Sequence, residues 1–136
     1  MDLRAYRESS SEKLRTDDLL RLFPDSGDVA LDIGARDGHF SRLLADRFKS
    51  VIALDLSQPE IDHPGVTCVA GNAASLQFPD HSMDFVFCAE VLEHIPTAIL
   101  AKVCQEIERV SRGQILIGVP YKQDIRSGRT TCRSCG

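Results

Sequence analysis

The sequence predicts an α/β domain built on a doubly wound, mostly parallel sheet. Three observations lead there. Five short segments are apolar at consecutive positions, as in Val51-Ile52-Ala53-Leu54 and Ile115-Leu116-Ile117, the pattern of strands buried on both faces. Stretches of helical periodicity or turn residues separate them, so strands alternate with crossovers. Right-handed crossovers between parallel strands leave a doubly wound sheet as the natural arrangement.

The elements follow in order. Ser9 and Glu12 have capping-box spacing ahead of Leu14, Leu19, Leu22 and Phe23, which predicts a helix over 10–22 stopped by Pro24. Val29–Ile33 is the first strand and ends in Gly34. A helix opens near Gly38 with Phe40, Leu43, Leu44 and Phe48 on its inner face. Val51–Asp55, Val66–Ala70 and Asp84–Ala89 are the next three strands. From Pro96 a helix carries Ile99, Leu100, Val103, Cys104, Ile107 and Val110 on one stripe, with Gly113 just past its end. Ile115–Val119 is the fifth strand, closed by Pro120.

The chain has 136 residues, enough for one domain. With 43% hydrophobic and 26% charged residues, it has the composition of an ordered globular protein. A net charge of −4 disfavours nucleic acid as a partner. No apolar run approaches the roughly 18 residues of a membrane span, and Met1-Asp2-Leu3-Arg4 lacks the apolar core of a secretory signal. Five cysteines, an odd count, suit a reducing compartment, so a cytoplasmic location is expected. Cys68, Cys88 and Cys104 sit in apolar segments and read as small buried hydrophobes.

Most of the functional signal lies in Leu31-Asp32-Ile33-Gly34-Ala35-Arg36-Asp37-Gly38-His39-Phe40. A strand that passes through glycines into a helix lets a ligand approach the backbone and places N–H groups beside it. In open α/β sheets, ligands settle at the carboxyl ends of strands. Gly34 and Gly38 are four apart, which fails the glycine spacing of the dinucleotide fingerprint, and no Gly-Lys-Ser/Thr follows for a phosphate loop. Asp55 ends the second strand, where a carboxylate accepts hydrogen bonds from ribose hydroxyls or stands exposed as a simple strand end.

Asp32, Gly34 and Gly38 match the acid-x-Gly-x-Gly-x-Gly motif of class I S-adenosylmethionine (SAM)-dependent methyltransferases, with Arg36 replacing the middle glycine. Gly71-Asn72-Ala73-Ala74-Ser75-Leu76 with Phe78-Pro79-Asp80 and Met83-Asp84 resembles that family's Gly-Asp-Ala segment, with Asn72 where Asp is usual. Phe87-Cys88-Ala89-Glu90-Val91-Leu92-Glu93-His94-Ile95 resembles its exit from the fourth strand. Across residues 31–95 the chain therefore resembles a methyltransferase of the small-molecule type, close to the methyltransferase type 11 domain. The resemblance implies a Rossmann-like fold, here with five of the usual seven strands, and SAM as cofactor. It implies cofactor-binding roles for Asp32, Gly34, Ala35, Arg36, Gly38, Asp55, Leu56, Asn72, Ala73, Ala89 and Glu90. Asn72 retains an amide oxygen able to accept from the adenine amino group. The Arg36 guanidinium points either towards the cofactor's carboxylate or to solvent.

Methyl transfer from a sulfonium asks the protein for positioning, water exclusion and, for a weakly acidic acceptor, a base. His94 is the candidate base, with Glu90 and Glu93 nearby; the other reading of His94 is a residue that orients backbone. Tyr121 either lines the acceptor pocket or packs. His39, His63 and His81 have no evident partner. The fourth strand lacks the Asn/Asp-Pro-Pro-Tyr of base-methylating enzymes, so a small molecule, saccharide or protein is expected ahead of nucleic acid as the acceptor, which is unidentified. A SAM-binding fragment without turnover is the alternative function. A nicotinamide-dependent oxidoreductase on the same architecture ranks below both.

Residues 1–121 form the expected SAM-binding domain and 122–136 a basic tail with Lys122, Arg126, Arg129 and Arg133, expected to begin a zinc-binding or acceptor-recognition segment. Within the tail, Cys132-x-x-Cys135-Gly136 has the shape of half a zinc site; a structural zinc would need two further ligands from a longer chain. Five strands rather than seven suggest a C-terminally truncated enzyme. An apolar fifth strand left at the sheet edge then predicts self-association through Ile115–Val119. A β-branched residue at Gly34 is expected to abolish cofactor binding before it abolishes folding.

Overall fold

The computed structural model describes residues 3–120. Tyr121, the basic tail and the Cys132/Cys135 pair lie outside the described residues. The element order is α1 (Arg4–Arg7), α2 (Ser10–Leu22), β1 (Gly27–Ile33), α3 (His39–Ala45), β2 (Phe48–Asp55), β3 (Val66–Ala70), β4 (Met83–Ala89), a 3-10 turn (Leu92–His94), α4 (Thr97–Val110) and β5 (Ser111–Gly118). One five-stranded sheet has the order β3-β2-β1-β4-β5, and every neighbouring pair is parallel. The order reverses at β1, which has β2 on one side and β4 on the other. The switch point therefore lies where β1 and β4 end.

Both faces of the sheet are covered near its centre, which is why the strands read as continuous apolar runs. On one face Leu31, Ile33, Val86 and Cys88 pack with Val103, Ile107 and Val110 of α4. On the other, Phe23, Phe40, Phe48, Phe85 and Phe87 form a cluster with Ala30, Leu44 and Val51. Its rings meet both edge-on, as in the 5.0 Å Phe23–Phe87 pair, and stacked, as in the 5.7 Å Phe48–Phe85 pair.

Several local expectations are corrected. Phe48 is the first residue of β2 rather than part of α3; it stays buried, but in the phenylalanine cluster of the sheet. Gly113 lies past the end of α4, as expected, but does not cap it. The helix ends at Val110, the chain turns directly into β5 at Ser111, and Gly113 lies inside the strand, where a Cβ would collide with the Asp84 carbonyl. Cys104 is exposed and Cys68 half-buried, so only Cys88 is a buried hydrophobe. Ile115 and Ile117 are each 41% exposed, so β5 is not covered on both faces as its composition implied.

The Ser9 cap is half of a capping box. Ser9 Oγ accepts from the Glu12 N–H at 3.3 Å, but the Glu12 carboxylate is buried and accepts instead from Arg7 at 2.7 Å and Arg15 at 3.1 Å. Arg7 also grips Asp37 through two nitrogens, at 3.1 and 3.3 Å, and lies over the Phe40 ring. The N-terminal helices are thereby tied to the loop after β1. The three histidines without evident partners acquire them. His39 Nε2 meets Thr16 Oγ1 at 3.2 Å, His63 Nδ1 accepts from the Gly65 N–H at 3.0 Å, and His81 Nδ1 lies 3.1 Å from the Ser111 carbonyl.

Candidate functional site

The site begins with backbone that only certain residues accept. Gly34 has φ 76° and Gly38 φ 80°, and between them Arg36 stands at φ 51°. All three are in the left-handed region, so the chain leaves β1 through a tight loop before Gly38 caps α3. The loop amides are largely spent within the protein. Gly34 and Ala35 donate to the Leu54 carbonyl at 2.8 and 3.1 Å, and Gly38 donates to the Ala35 carbonyl. The Arg36 N–H donates to Asp55 Oδ2 at 3.1 Å. The expected row of free N–H groups is therefore not what this loop offers.

What it offers is an opening. A cavity of about 240 Å³ lies at the carboxyl ends of β1 and β2. Its walls include the apolar Ile33, Leu54, Val91 and Ile95, together with Gly34, Arg36, Asp55, Leu56, Asn72, Ala73, Glu90 and His94. A much smaller hollow of about 20 Å³ lies towards α2 and is lined by Asp32, Ala35, Ala89, Arg7 and Arg15, with Gly34, Arg36 and Glu90 common to both. The structure thus brings the sequence-named residues together at one sheet edge, with a division of position. Asp32, Ala35 and Ala89 reach the small hollow only. Gly38 lines neither, because its place is the start of α3, where a Cβ would collide with Ile61.

The polar groups are fixed in distinct ways. The two oxygens of Asp55 accept from the Arg36 and Leu56 amides, the latter at 2.8 Å. The carboxylate is therefore held in one orientation at the cavity wall and keeps lone pairs for a ligand. Asn72 Oδ1 accepts from the Ala74 N–H at 2.9 Å, so this oxygen already shapes a local turn. Asp32 is 3% exposed and accepts from Ser41 Oγ at 2.6 Å. Burial pushes its carboxyl up to about 7, against the lowering effect of the Ser41 hydrogen bond. Burial likewise pushes the Cys88 thiol up to about 12, which removes it as a nucleophile. His94 lies on the 3-10 turn with its side chain 70% exposed, 3.7 Å from Glu93 Oε1.

Sequence reasoning missed Arg7 and Arg15, which reach the site from α1 and α2. No local motif marks them, because their place depends on how the N-terminal helices dock. It also missed the function of Val91. A Cβ on Gly34 would collide first with Val91 Cγ2, so the immediate cost of a side chain there is packing and backbone strain rather than a filled cofactor space. Gly34→Val is accordingly expected to lower stability by roughly 2–4 kcal/mol as well as to weaken ligand binding. Urea denaturation of the variant checks this, and an unchanged midpoint contradicts it.

The family of proteins described as methyltransferase domains matches residues 31–117. The chain belongs to this methyltransferase domain family. A Mycolicibacterium smegmatis protein named as an S-adenosylmethionine-dependent methyltransferase is 33% identical over 113 residues, covering 78% of this chain and 43% of that protein. A solved methyltransferase from an antibiotic biosynthesis pathway of Anabaena variabilis is 32% identical with a TM-score of 0.64, over 82% of this chain and 46% of that one. The methyltransferase in a solved complex with the Haloferax volcanii Trm112 activator is 25% identical with a TM-score of 0.67, over 75% of this chain and 50% of that one. The chain spans about half the length of these relatives or less.

The five-stranded parallel sheet is the Rossmann-like arrangement of these methyltransferases, and the family implies SAM as cofactor. A nicotinamide-dependent oxidoreductase is set aside by the same match. Among the described residues, no three His, Cys, Asp or Glu side chains are grouped to hold a metal, and no helix is long and apolar enough to cross a membrane.

Proposed function

We propose that this domain binds SAM in the cavity between Gly34 and Glu90, and that the whole protein transfers its methyl group to an acceptor. The observation that carries the reading is the Asp55 carboxylate, locked by two backbone amides at the wall of a partly apolar cavity at the carboxyl edge of the sheet. Asp55 holds the ribose hydroxyls, and the apolar walls of Ile33, Leu54 and Ala73 enclose the base beside Asn72. Gly34 lets the ligand lie against the backbone. When bound, SAM supplies a methyl group already activated by its sulfonium.

The residues of this chain then bind, orient and exclude water. His94, exposed at the rim, takes a proton from an acceptor of low acidity. A small molecule, saccharide or protein acceptor fits the acidic net charge better than nucleic acid does. Transfer of labelled methyl from SAM, assayed against acceptors of these classes, tests the reading. Labelled product that is lost on Asp55→Ala supports it, and binding without transfer to any class favours the alternative, a SAM-binding module.

Self-association is proposed for β5, which has no strand on its outer side among the described residues. From Gly113 to Pro120 the chain carries no charge, and Ile115, Ile117 and Val119 are exposed, which leaves an uncovered apolar edge. Light scattering is expected to show association that Ile117→Lys reduces. A wild-type chain monomeric at high concentration contradicts this.

A further inference from the structure

Three observations meet at Arg36. It occupies the left-handed region at φ 51°, where glycine is at ease and other L-residues are rarely found. It lies where the two hollows join, since Arg36 lines both, together with Gly34 and Glu90. Its charge is also uncommitted. Arg7 is paired with Glu12 at 2.7 Å and Asp37 at 3.1 Å, and Arg15 with Glu12 at 3.1 Å and Glu90 at 3.4 Å. The Arg36 guanidinium has no ion-pair partner among the described residues. Backbone strain kept for the sake of an unpaired cation at a cavity junction is a mark of function rather than of folding.

We propose that Arg36 determines specificity for the amino-acid end of the cofactor, by donating hydrogen bonds to its carboxylate. The proposal rests on the SAM reading above and extends it to a residue at which the resembled motif has glycine. With the ribose at Asp55, a ligand that runs past Gly34 leaves the large cavity at this junction. Its terminal zwitterion there meets opposite charges on two adjacent elements: Arg36 for the carboxylate and Glu90, itself left-handed at φ 55°, for the ammonium. A planar guanidinium suits a carboxylate through paired N–H donors. A glycine in this place would leave the carboxylate to solvent.

The test compares two ligands by calorimetry on the full chain. S-adenosylhomocysteine carries the amino-acid end; 5′-methylthioadenosine keeps the adenosine and thioether but lacks it. Arg36→Gly is expected to weaken S-adenosylhomocysteine by roughly tenfold to a hundredfold, as befits loss of a charge-assisted hydrogen bond, and to leave methylthioadenosine unchanged. Arg36→Lys should keep part of the preference. Arg36→Gly should melt no lower than wild type, because glycine relieves the strained backbone. Equal weakening of both ligands would mean that Arg36 only shapes the loop, and an unchanged affinity for both that it serves solvent; either result overturns the proposal. A wild-type chain that binds neither ligand overturns the cofactor reading itself, and this proposal with it.

Discussion

At pH 8, Asp32→Asn is expected to be more stable than the wild type by about 1–3 kcal/mol while binding SAM more weakly. The gain comes from burial. An Asp32 carboxyl pushed from the ordinary 3.8 to about 7 corresponds to about 4 kcal/mol lost when it ionises in the folded state. The sign follows from proton counting. Between pH 4 and pH 7 the unfolded chain has released the proton and the folded chain still holds it, so this group's contribution falls as pH rises through that window and is flat above it. Asparagine removes that penalty and keeps an oxygen for Ser41 Oγ, but adds an N–H₂ group whose missing partner returns about 1–3 kcal/mol. The advantage should therefore vanish at pH 5. Urea denaturation at the two pH values measures it, and a pH-independent difference between variant and wild type would contradict the account. Weaker SAM binding is expected because Asp32 lines the small hollow, where its ionised fraction would favour a cationic ligand.

Asp55→Ala is expected to raise the SAM dissociation constant roughly tenfold to a hundredfold, the value of about 1–3 kcal/mol for hydrogen bonds accepted by a charged group. Part of this loss is indirect. The carboxylate also holds the Arg36 and Leu56 amides, so alanine loosens the loop that walls the cavity. Because Asp55 is only half-buried, water replaces the lost acceptor and the fold should persist. Calorimetry with circular dichroism checks both halves. Unchanged affinity in a folded variant would remove Asp55 from the site.

Much of this was legible along the chain, and what was not has specific physical causes. Runs of consecutive apolar residues mark all five strands, although only the central ones are buried on both faces, and Ser9 marks the start of α2 because a side-chain cap is a local device. Phe48 was assigned to the wrong element because a buried aromatic fits either a helix face or a strand, and only the pairing of Gly27 with Phe48 decides. Gly113 looks like a helix stop, yet close packing on Asp84 explains it instead. The apolar stripe of α4 was read too broadly, since Ile99 and Cys104 fall where the sheet no longer covers the helix. At the site, Asp55 and Gly34 were recognisable from their places at strand ends. The internal use of the loop amides was not, nor was the arrival of Arg7 and Arg15, because Arg7 meets Asp37 across 30 positions, a contact that no spacing rule encodes.

The most direct test of the central claim is calorimetric titration of the 136-residue chain with SAM and, separately, with NAD. The account predicts a single SAM site that is weakened by Asp55→Ala, with no measurable uptake of NAD. A chain that is folded yet takes up no SAM, or that binds NAD in its place, would contradict it.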